Sequence, residues 1–536
     1  MFFRCFLHHR YFVYNFATCH SSGQLKKETM GNSFFNHKTI LALSLLFFAS
    51  FVAQILFYDF RLTPDSYGYI NTARNIADGQ GVVTNIPSFN RPDFDWHPET
   101  PDIRPPPQGF FYPILIAGVI KIFDPANHIY VALLISAIAG VLALILAAAA
   151  SKTYFGGGPM LIAAMLVAAP GIRYISQLAL TDSLGLMCIM AFLFCAPFMR
   201  TSAKYCAAAG VIAFIAIFTR QAMLSLVLFG VVCAMFSLRD GRVLFTPSKG
   251  FIYALFCGAP FVVFALWSHS IDRSLFISYP DAPFDIGYLP SSLFRYWEKM
   301  DTRLLPFAAL TVIFVWRTNI GELKDLFFGG HRYILSAWVG GYSVFLILAL
   351  SNAYESEFER RYLAVLKVII IMFSASMLNR MFPDIAGRIG KHALVAALSV
   401  MTLITCGRMI IKEPVEDFRM SESYRWMSDN LSPRDLIING RYFFVSYYFD
   451  GVTVPWWITV HPKMHFSNIR NYVAARCHAY DNFYLFTPTK DPLASDWVEG
   501  NPGNIEYAVE LKDSSNQTPI HVHRLDYCDM SPAPEK

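Results

Sequence analysis

The sequence predicts an α-helical polytopic membrane protein of about eleven transmembrane helices, followed by a small soluble α/β domain. Three observations predict it. First, 54% of the 536 residues are hydrophobic and only 15% are charged, where a soluble chain carries about 25% charge; the mean hydropathy is +0.38. Second, the apolar residues gather in long uncharged runs, at 39–57, 128–150, 221–238, 250–267 and 333–350, each suited to a hydrocarbon core of about 30 Å. Third, the last stretch, 412–536, returns to the composition of a soluble protein.

Read in order, the spans fall at 39–57, 128–150, 156–172, 183–199, 205–219, 221–238, 250–267, 304–317, 333–350, 363–379 and 392–411. Residues 1–38 form a cytosolic tail. Its first 29 residues lack the apolar core and small-residue cleavage site of a signal peptide; Met30-Gly31 is a second plausible start, and the residues after it lack the Ser/Thr of a myristoylation signal. With this tail inside, the inner loops collect Lys152; Arg200 and Lys204; Arg239, Arg242 and Lys249; Arg317, Lys324 and Arg332; and Arg380, Arg388 and Lys391. That is the positive-inside bias, and an odd number of spans places 412–536 on the outer side. Between the first two spans lies a long outer loop, 58–127, rich in acids, aromatics and prolines, as a functional loop is. In the C-terminal region, 421–431 reads as a helix. Residues 436–438, 442–449 and 452–459 read as strands broken by the hairpin turns Asn439-Gly440 and Asp450-Gly451.

The net charge of +5 and the absence of a basic run give no sign of nucleic acid. Of ten cysteines, Cys188, Cys195, Cys206, Cys233, Cys257 and Cys406 lie in apolar segments, where the thiol acts as a small hydrophobe. No C-x-x-C pair signals zinc or redox chemistry. Cys477 and Cys528 fall in the C-terminal region, where an outer compartment permits a disulfide.

Four places carry residues that chemistry could use. In Thr63-Pro64-Asp65-Ser66-Tyr67-Gly68-Tyr69, Thr63 is an N-cap, Pro64 a first helical residue, and Gly79 and Gly81 a stop, so Asp65 sits in the first turn of a short helix with Tyr69 on its face. Spacing alone favours a carboxylate that merely complements the helix dipole. The stretch from His97 through Arg104-Pro105-Pro106-Pro107 to Tyr112-Pro113 is stiff and extended; it leads into an apolar helix over 110–123 at the membrane surface, and a rigid seat or a substrate role fits equally. Thr181-Asp182, at the outer end of a span, is either a helix cap or a functional acid, since a carboxylate beside a membrane helix is expensive. Finally, Arg173, Arg220, Arg360, Arg361 and Lys367 are cations on the outer side, against the charge bias. Snorkelling to headgroups explains Lys367 well. For Arg220 and the Arg360-Arg361 pair, a lipid-borne phosphate is the better counter-charge.

Over most of 39–411 the chain resembles the GT-C superfamily of membrane glycosyltransferases, in the branch of the protein mannosyltransferases, the lipid A aminoarabinose transferase and the rhizobial galacturonosyltransferase type. The resemblance lies in Asp65, Tyr69 and Ala73 of an Asp-x-x-x-Tyr-x-x-x-Ala helix, then Gly79-Gln80-Gly81, Arg104-Pro105-Pro106 leading to Tyr112-Pro113, Leu180-Thr181-Asp182-Ser183, and Glu359-Arg360-Arg361-Tyr362-Leu363. It implies an inverting transfer of a sugar from a polyprenyl-phosphate donor to a lipid, polysaccharide or protein acceptor of the cell envelope, in the inner or plasma membrane with the site on the periplasmic side. Under it Asp65 is the general base and Asp182 orients the acceptor or Asp65. Arg220, Arg360, Arg361 and Lys367 hold the donor phosphate, and Tyr69, His97, Arg104, Tyr112 and Tyr362 contact substrate. Many relatives carry Asp-Glu where this chain has Asp65-Ser66, which leaves a divalent metal open as the sole cofactor question and Asp59 as an alternative base. The rival classes are a transporter or lipid flippase, which should show related halves and mid-bilayer charges, and a non-catalytic scaffold presenting 412–536.

Overall fold

The computed structural model describes residues 48–49, 52, 64–82, 111–123, 128–156, 162, 165–166, 179–220, 223, 225–239, 242–270, 287, 289–351, 363–383, 392–393, 396, 400, 422–439, 449, 452–455, 473–474, 477–488, 505–511, 520–526 and 528. They are mostly helical. In chain order the helices are α1 (Pro64–Ala77), α2 (Phe111–Phe123), α3 (His128–Phe155), α4 (Asp182–Met199), α5 (Ala203–Thr219), α6 (Ser225–Met235), α7 (Pro247–Ser270), α8 (Leu289–Arg317), α9 (Ile320–Phe328), α10 (Arg332–Ser351), α11 (Ala364–Met381) and α12 (Glu422–Asn430). Three of them, α3, α4 and α11, are long and apolar enough to cross a membrane; shorter apolar helices lie at Phe111–Phe123, Ala203–Thr219, Ser225–Met235, Pro247–Val263, Leu305–Arg317 and Arg332–Leu348. The expected spans 39–57, 156–172 and 392–411 lie almost wholly outside the described residues.

Two of the expected spans are redrawn. The run 221–238 ends as a helix at Met235 and continues as β1 (Phe236–Arg239), paired antiparallel with β2 (Arg242–Phe245). The sequence between the strands is Asp240-Gly241, a hairpin dipeptide of the same kind as Asp450-Gly451. The run 304–317 is the end of α8, which starts at Leu289. Its first half carries Arg295, Glu298, Lys299, Asp301 and Arg303, so hydropathy alone hides it.

Polar contacts fix how the helices run. A three-residue link joins α4 to α5, which makes them an antiparallel hairpin, so the end of α5 returns to the start of α4. The hydroxyl of Ser136 reaches Leu180 O at 3.3 Å, and that of Tyr154 donates to Leu193 O at 2.7 Å. Contacts at both ends in the same order make α3 parallel to α4. Helix α7 then packs on α5 and α6 at two glycines. A Cβ on Gly210 would meet Tyr253 O at 2.7 Å and Phe256 Cβ at 2.9 Å, and one on Gly230 would overlap the Tyr253 ring; small residues let apolar helices approach where hydrophobicity gives no drive.

The far end of this bundle, where α4 ends and α5 begins, is basic. Arg200 meets His331 Nδ1 at 3.0 Å and lies over the Tyr333 ring at 5.7 Å, and Lys249 donates to the Arg200 carbonyl. Burial and Arg200 lower the His331 pKa, so the neutral ring accepts the guanidinium proton. Nearby, Asp325 accepts from Arg332 and from Arg380 at 3.0 Å each. Cations from four separated stretches of the chain, Arg200, Lys249, Arg332 and Arg380, therefore gather at one end.

The C-terminal strands form a five-stranded sheet in the order β4 (Val452–Pro455), β3 (Leu436–Asn439), β5 (Phe483–Pro488), β7 (Ile520–Leu525), β6 (Ile505–Leu511). β3 pairs parallel with both β4 and β5, while β5, β7 and β6 pair antiparallel. The expected hairpin succession is thus corrected: β3 and β4 are direct, parallel neighbours, and parallel neighbours need a crossover of about a dozen residues. Residues 442–448, expected as a strand between them, lie outside the described residues. One face of the sheet holds Ile437, Tyr484, Phe486, Ile520 and Val522 with Leu511 and Met427 of α12. Cys477, ahead of β5, and Cys528, after β7, form a disulfide with Cα atoms 5.5 Å apart.

On the other face of β7, burial and His521 push the His523 pKa down to about 4. The folded chain keeps this ring neutral, while the unfolded chain takes up its proton near pH 6.5. Its contribution is fully present above pH about 6.5 and is lost as the pH falls toward 4. Thermal unfolding of the sheet measured from pH 7 to 4 should show this loss, and His523→Phe should flatten the slope over that window.

Candidate functional site

The site is assembled at the end of the bundle where α4 begins and α5 ends. Asp182 opens α4. Thr181 before it makes no side-chain cap bond, so the cap does not explain why an acid stands here. The explanation is Arg220, the C-cap of α5, whose guanidinium pairs with Asp182. The hairpin geometry forces this meeting: helices of 18 and 17 residues with a short link end level with each other. Both side chains are buried, at 2% and 12% exposure, and charges so far from water persist only in each other's company.

Next to this pair stands a hydroxyl chain. Tyr112, in the first turn of α2, donates to Ala132 O at 2.7 Å and lies 2.8 Å from Ser136 Oγ. Ser136 reaches the carbonyl of Leu180, two residues before Asp182, at 3.3 Å. Two hydroxyl protons thus serve three contacts, and the three link α2, α3 and the entry to α4. All the oxygens are buried, which makes the chain costly to break. Ser136 gave a sequence signal that went unused, a lone hydroxyl in an otherwise apolar run.

The Tyr112 ring meets the Tyr69 ring edge-to-face with centroids 5.7 Å apart, which brings α1 to the same end. Helix α1 starts at Pro64, as the sequence predicts, and closes in a Schellman motif: Gly79 N–H bonds Ile76 O at 3.2 Å, and Gln80 N–H bonds Asn75 O at 2.8 Å. Gly79 takes φ +80° there, which is why a glycine ends the helix. Asp65 is half-buried in its first turn, one turn before Tyr69 on the same face. Despite its polar sequence, α1 is buried on most sides: Ser66, Asn71, Thr72 and Asn75 are all at 2% exposure or less, with Asn75 bonded to Asn71 at 3.3 Å. The spacing of Asn71 and Asn75, four apart, could have marked this polar buried stripe.

Lys367 lies half-buried in the first turn of α11. Arg380, in the last turn, reaches Asp325 at the basic end, so Lys367 points away from that end by about 20 Å of helix. The candidate residues Tyr69, Tyr112, Asp182 and Arg220, with Asp65 on the helix of Tyr69, therefore share one end, and the start of α11 is directed to it. His97, Arg104, Arg360, Arg361 and Tyr362, and the alternative base Asp59, lie outside the described residues. Among the described residues no three His, Cys, Asp or Glu side chains come together as a metal site.

No family model matches the chain, and no curated protein matches it in sequence. Solved structures do. ArnT from Cupriavidus metallidurans bound to undecaprenyl phosphate aligns over 93% of this chain and 99% of its own, with TM-score 0.55 and 12% identity. The apo form of the same protein aligns over the same shares, with TM-score 0.53 and 11% identity. The chain shares the fold of ArnT. The apo oligosaccharyltransferase of Archaeoglobus fulgidus is a weaker match, with TM-score 0.47 and 12% identity over 85% of this chain and 70% of that one.

The ion pair yields a test. Asp182→Ala or Arg220→Ala breaks a largely desolvated ion pair and should lower stability by about 3–5 kcal/mol. The double variant removes both and should lose less than the sum of the two. Thermal unfolding of the three purified variants measures it.

Proposed function

We propose that the protein is an inverting glycosyltransferase that moves a sugar from a polyprenyl-phosphate donor to an acceptor of the cell envelope. The observation that carries this reading is the buried Asp182–Arg220 pair held at the same end as the Asp65 helix, within a fold shared with a protein crystallised with undecaprenyl phosphate. On this reading the basic end faces the cytosol, following the positive-inside bias. The Asp65 end then faces outward, about eleven spans cross the membrane, and the C-terminal sheet belongs to a soluble domain, 412–536, on the outer side.

Transfer with inversion needs three things from the protein. The acceptor hydroxyl must lose its proton as its oxygen bonds the anomeric carbon, and the bond from that carbon to the phosphate oxygen must break. The phosphate that leaves then carries the electrons of that bond and needs cations. Asp65 is the base. It lies in the first turn of a helix, and Tyr69 and Tyr112 seat that helix. Among the described residues Arg220 is the cation that stands in the assembled site, paired with Asp182. Asp182 pairs with its guanidinium and orients it, and the planar, always-charged guanidinium is the side chain suited to a phosphate. Arg360, Arg361 and Lys367 supply further positive charge for the carrier. His97, Arg104 and Tyr362 are the remaining candidates for substrate contact. The sugar and acceptor are read by these outer segments.

Asp65→Asn keeps the shape and removes the basicity. It should bind undecaprenyl phosphate as the unaltered protein does, yet turn over about 10²–10⁴ times more slowly. Arg360→Ala should weaken that binding as well as turnover, because the phosphate contact exists before the transition state. Binding is measured on purified protein with undecaprenyl phosphate. Transfer is measured by mass spectrometry of envelope glycans from cells with and without each variant. Near-normal transfer by Asp65→Asn would remove Asp65 as the base and make Asp59 or Asp182 the next to test.

A further inference from the structure

Helix α1 has a second contact that the reaction described above does not use. Tyr69 faces α2. Tyr67, two residues away and so about 200° round the helix, packs against the core of the C-terminal sheet, a cluster of Met427, Ile437, Tyr484, Phe486, Leu511, Ile520 and Val522. Trp426 of α12 packs against the same cluster and meets the Tyr484 and Phe486 rings edge-on at 6.1 and 6.3 Å. An aromatic side chain from before α2 thus joins the core of a sheet whose first strand begins at Leu436. The helix is held from two sides, by Tyr112 on one and by the sheet on the other.

We propose that the C-terminal sheet is a positioning element for Asp65, acting through Tyr67, and that the Cys477–Cys528 bridge keeps it in shape for that task. The proposal rests on the reading of Asp65 as the base. A helix of 14 residues is marginal alone, so tertiary contacts decide where its first turn lies. Asp65 is two residues from Tyr67, in that turn. A base displaced by about 1 Å can cost on the order of 10²-fold in rate. The platform Tyr67 rests on comes largely from β5 and β7: Tyr484 and Phe486 from one, Ile520 and Val522 from the other. Its register begins at Phe483 opposite Leu525, and the disulfide joins the chain just before the first to the chain just after the second. The bridge therefore closes the end of the platform where Tyr484 stands. Reducing it frees β5 and β7 to shift at that end, and the shift passes through Tyr67 to Asp65. Tyr67 is a positioning residue in this account, acting through the packing of its ring on the sheet core.

The experiment compares Tyr67→Ala, Tyr67→Phe, the Cys477→Ser/Cys528→Ser pair and Asp65→Asn in the full-length protein. The readouts are amide hydrogen exchange over residues 64–77, undecaprenyl phosphate binding, and kcat for transfer. Tyr67→Ala should raise exchange in α1 by ~10-fold or more through local opening and lower kcat by about 10- to 100-fold, with undecaprenyl phosphate affinity unchanged. Tyr67→Phe should match the unaltered protein on all three. The cysteine pair should move in the direction of Tyr67→Ala, less far. Unchanged exchange over 64–77 in Tyr67→Ala overturns the proposal, and so does raised exchange with unchanged kcat. Loss of lipid-phosphate affinity together with kcat also overturns it, because it marks a general loss of fold. Asp65→Asn separates the two readings: full turnover there ends the base assignment whatever Tyr67 does, while the exchange data still report whether the sheet holds the helix.

Discussion

A carboxylate and a guanidinium can leave water only together, and the Asp182–Arg220 pair is where this chain commits to doing so. The pair ties the first turn of α4 to the cap of α5, so the hairpin cannot slide without separating buried charges. Everything at that end is referred to it. Leu180, just before Asp182, accepts from Ser136; Ser136 meets Tyr112; Tyr112 meets Tyr69. The contact path runs from a buried charge through two hydroxyls and two rings to the helix that carries Asp65.

The other end of the bundle is built on opposite terms. Arg200, Lys249, Arg332 and Arg380 gather there around His331, Tyr333 and Asp325. Asp325 is half exposed, so its ion pairs are screened and each contributes little to stability. Their effect is directional. A cluster with excess positive charge resists transfer across a bilayer, while a paired acid and base adds no net charge. Among the described residues the two ends differ in net charge, and the proposed orientation rests on that difference.

Helix α1 explains why the C-terminal sheet belongs to the same functional unit. Its buried surface is polar at Asn71, Thr72 and Asn75 on one side and at Ser66 on the other, with the aromatic Tyr67 and Tyr69 between them. Such a helix has no single apolar face to dock by. It needs separate partners around its circumference, and the Tyr112 ring and the sheet core are two of them.

The sequence by itself determined the class of protein, the helical runs, the short helix from Pro64 with its glycine stop, and the residue types able to serve a phosphate-linked transfer. These are local properties: hydropathy, capping and charge sidedness are written over windows of a few to twenty residues. It misjudged α8, whose charged first half hides helix from hydropathy, and it read a hairpin succession where β3 and β4 pair side by side. It also left Asp182 undecided between cap and functional acid. What the tertiary structure adds is its partner, Arg220, which stands 38 positions away and is brought back by the antiparallel hairpin. The same holds for Tyr67, which the sequence offers as one aromatic among many and which the fold places against a sheet formed more than 350 residues later. Nothing local records such meetings; they exist only once chain reversal and packing have chosen who stands next to whom.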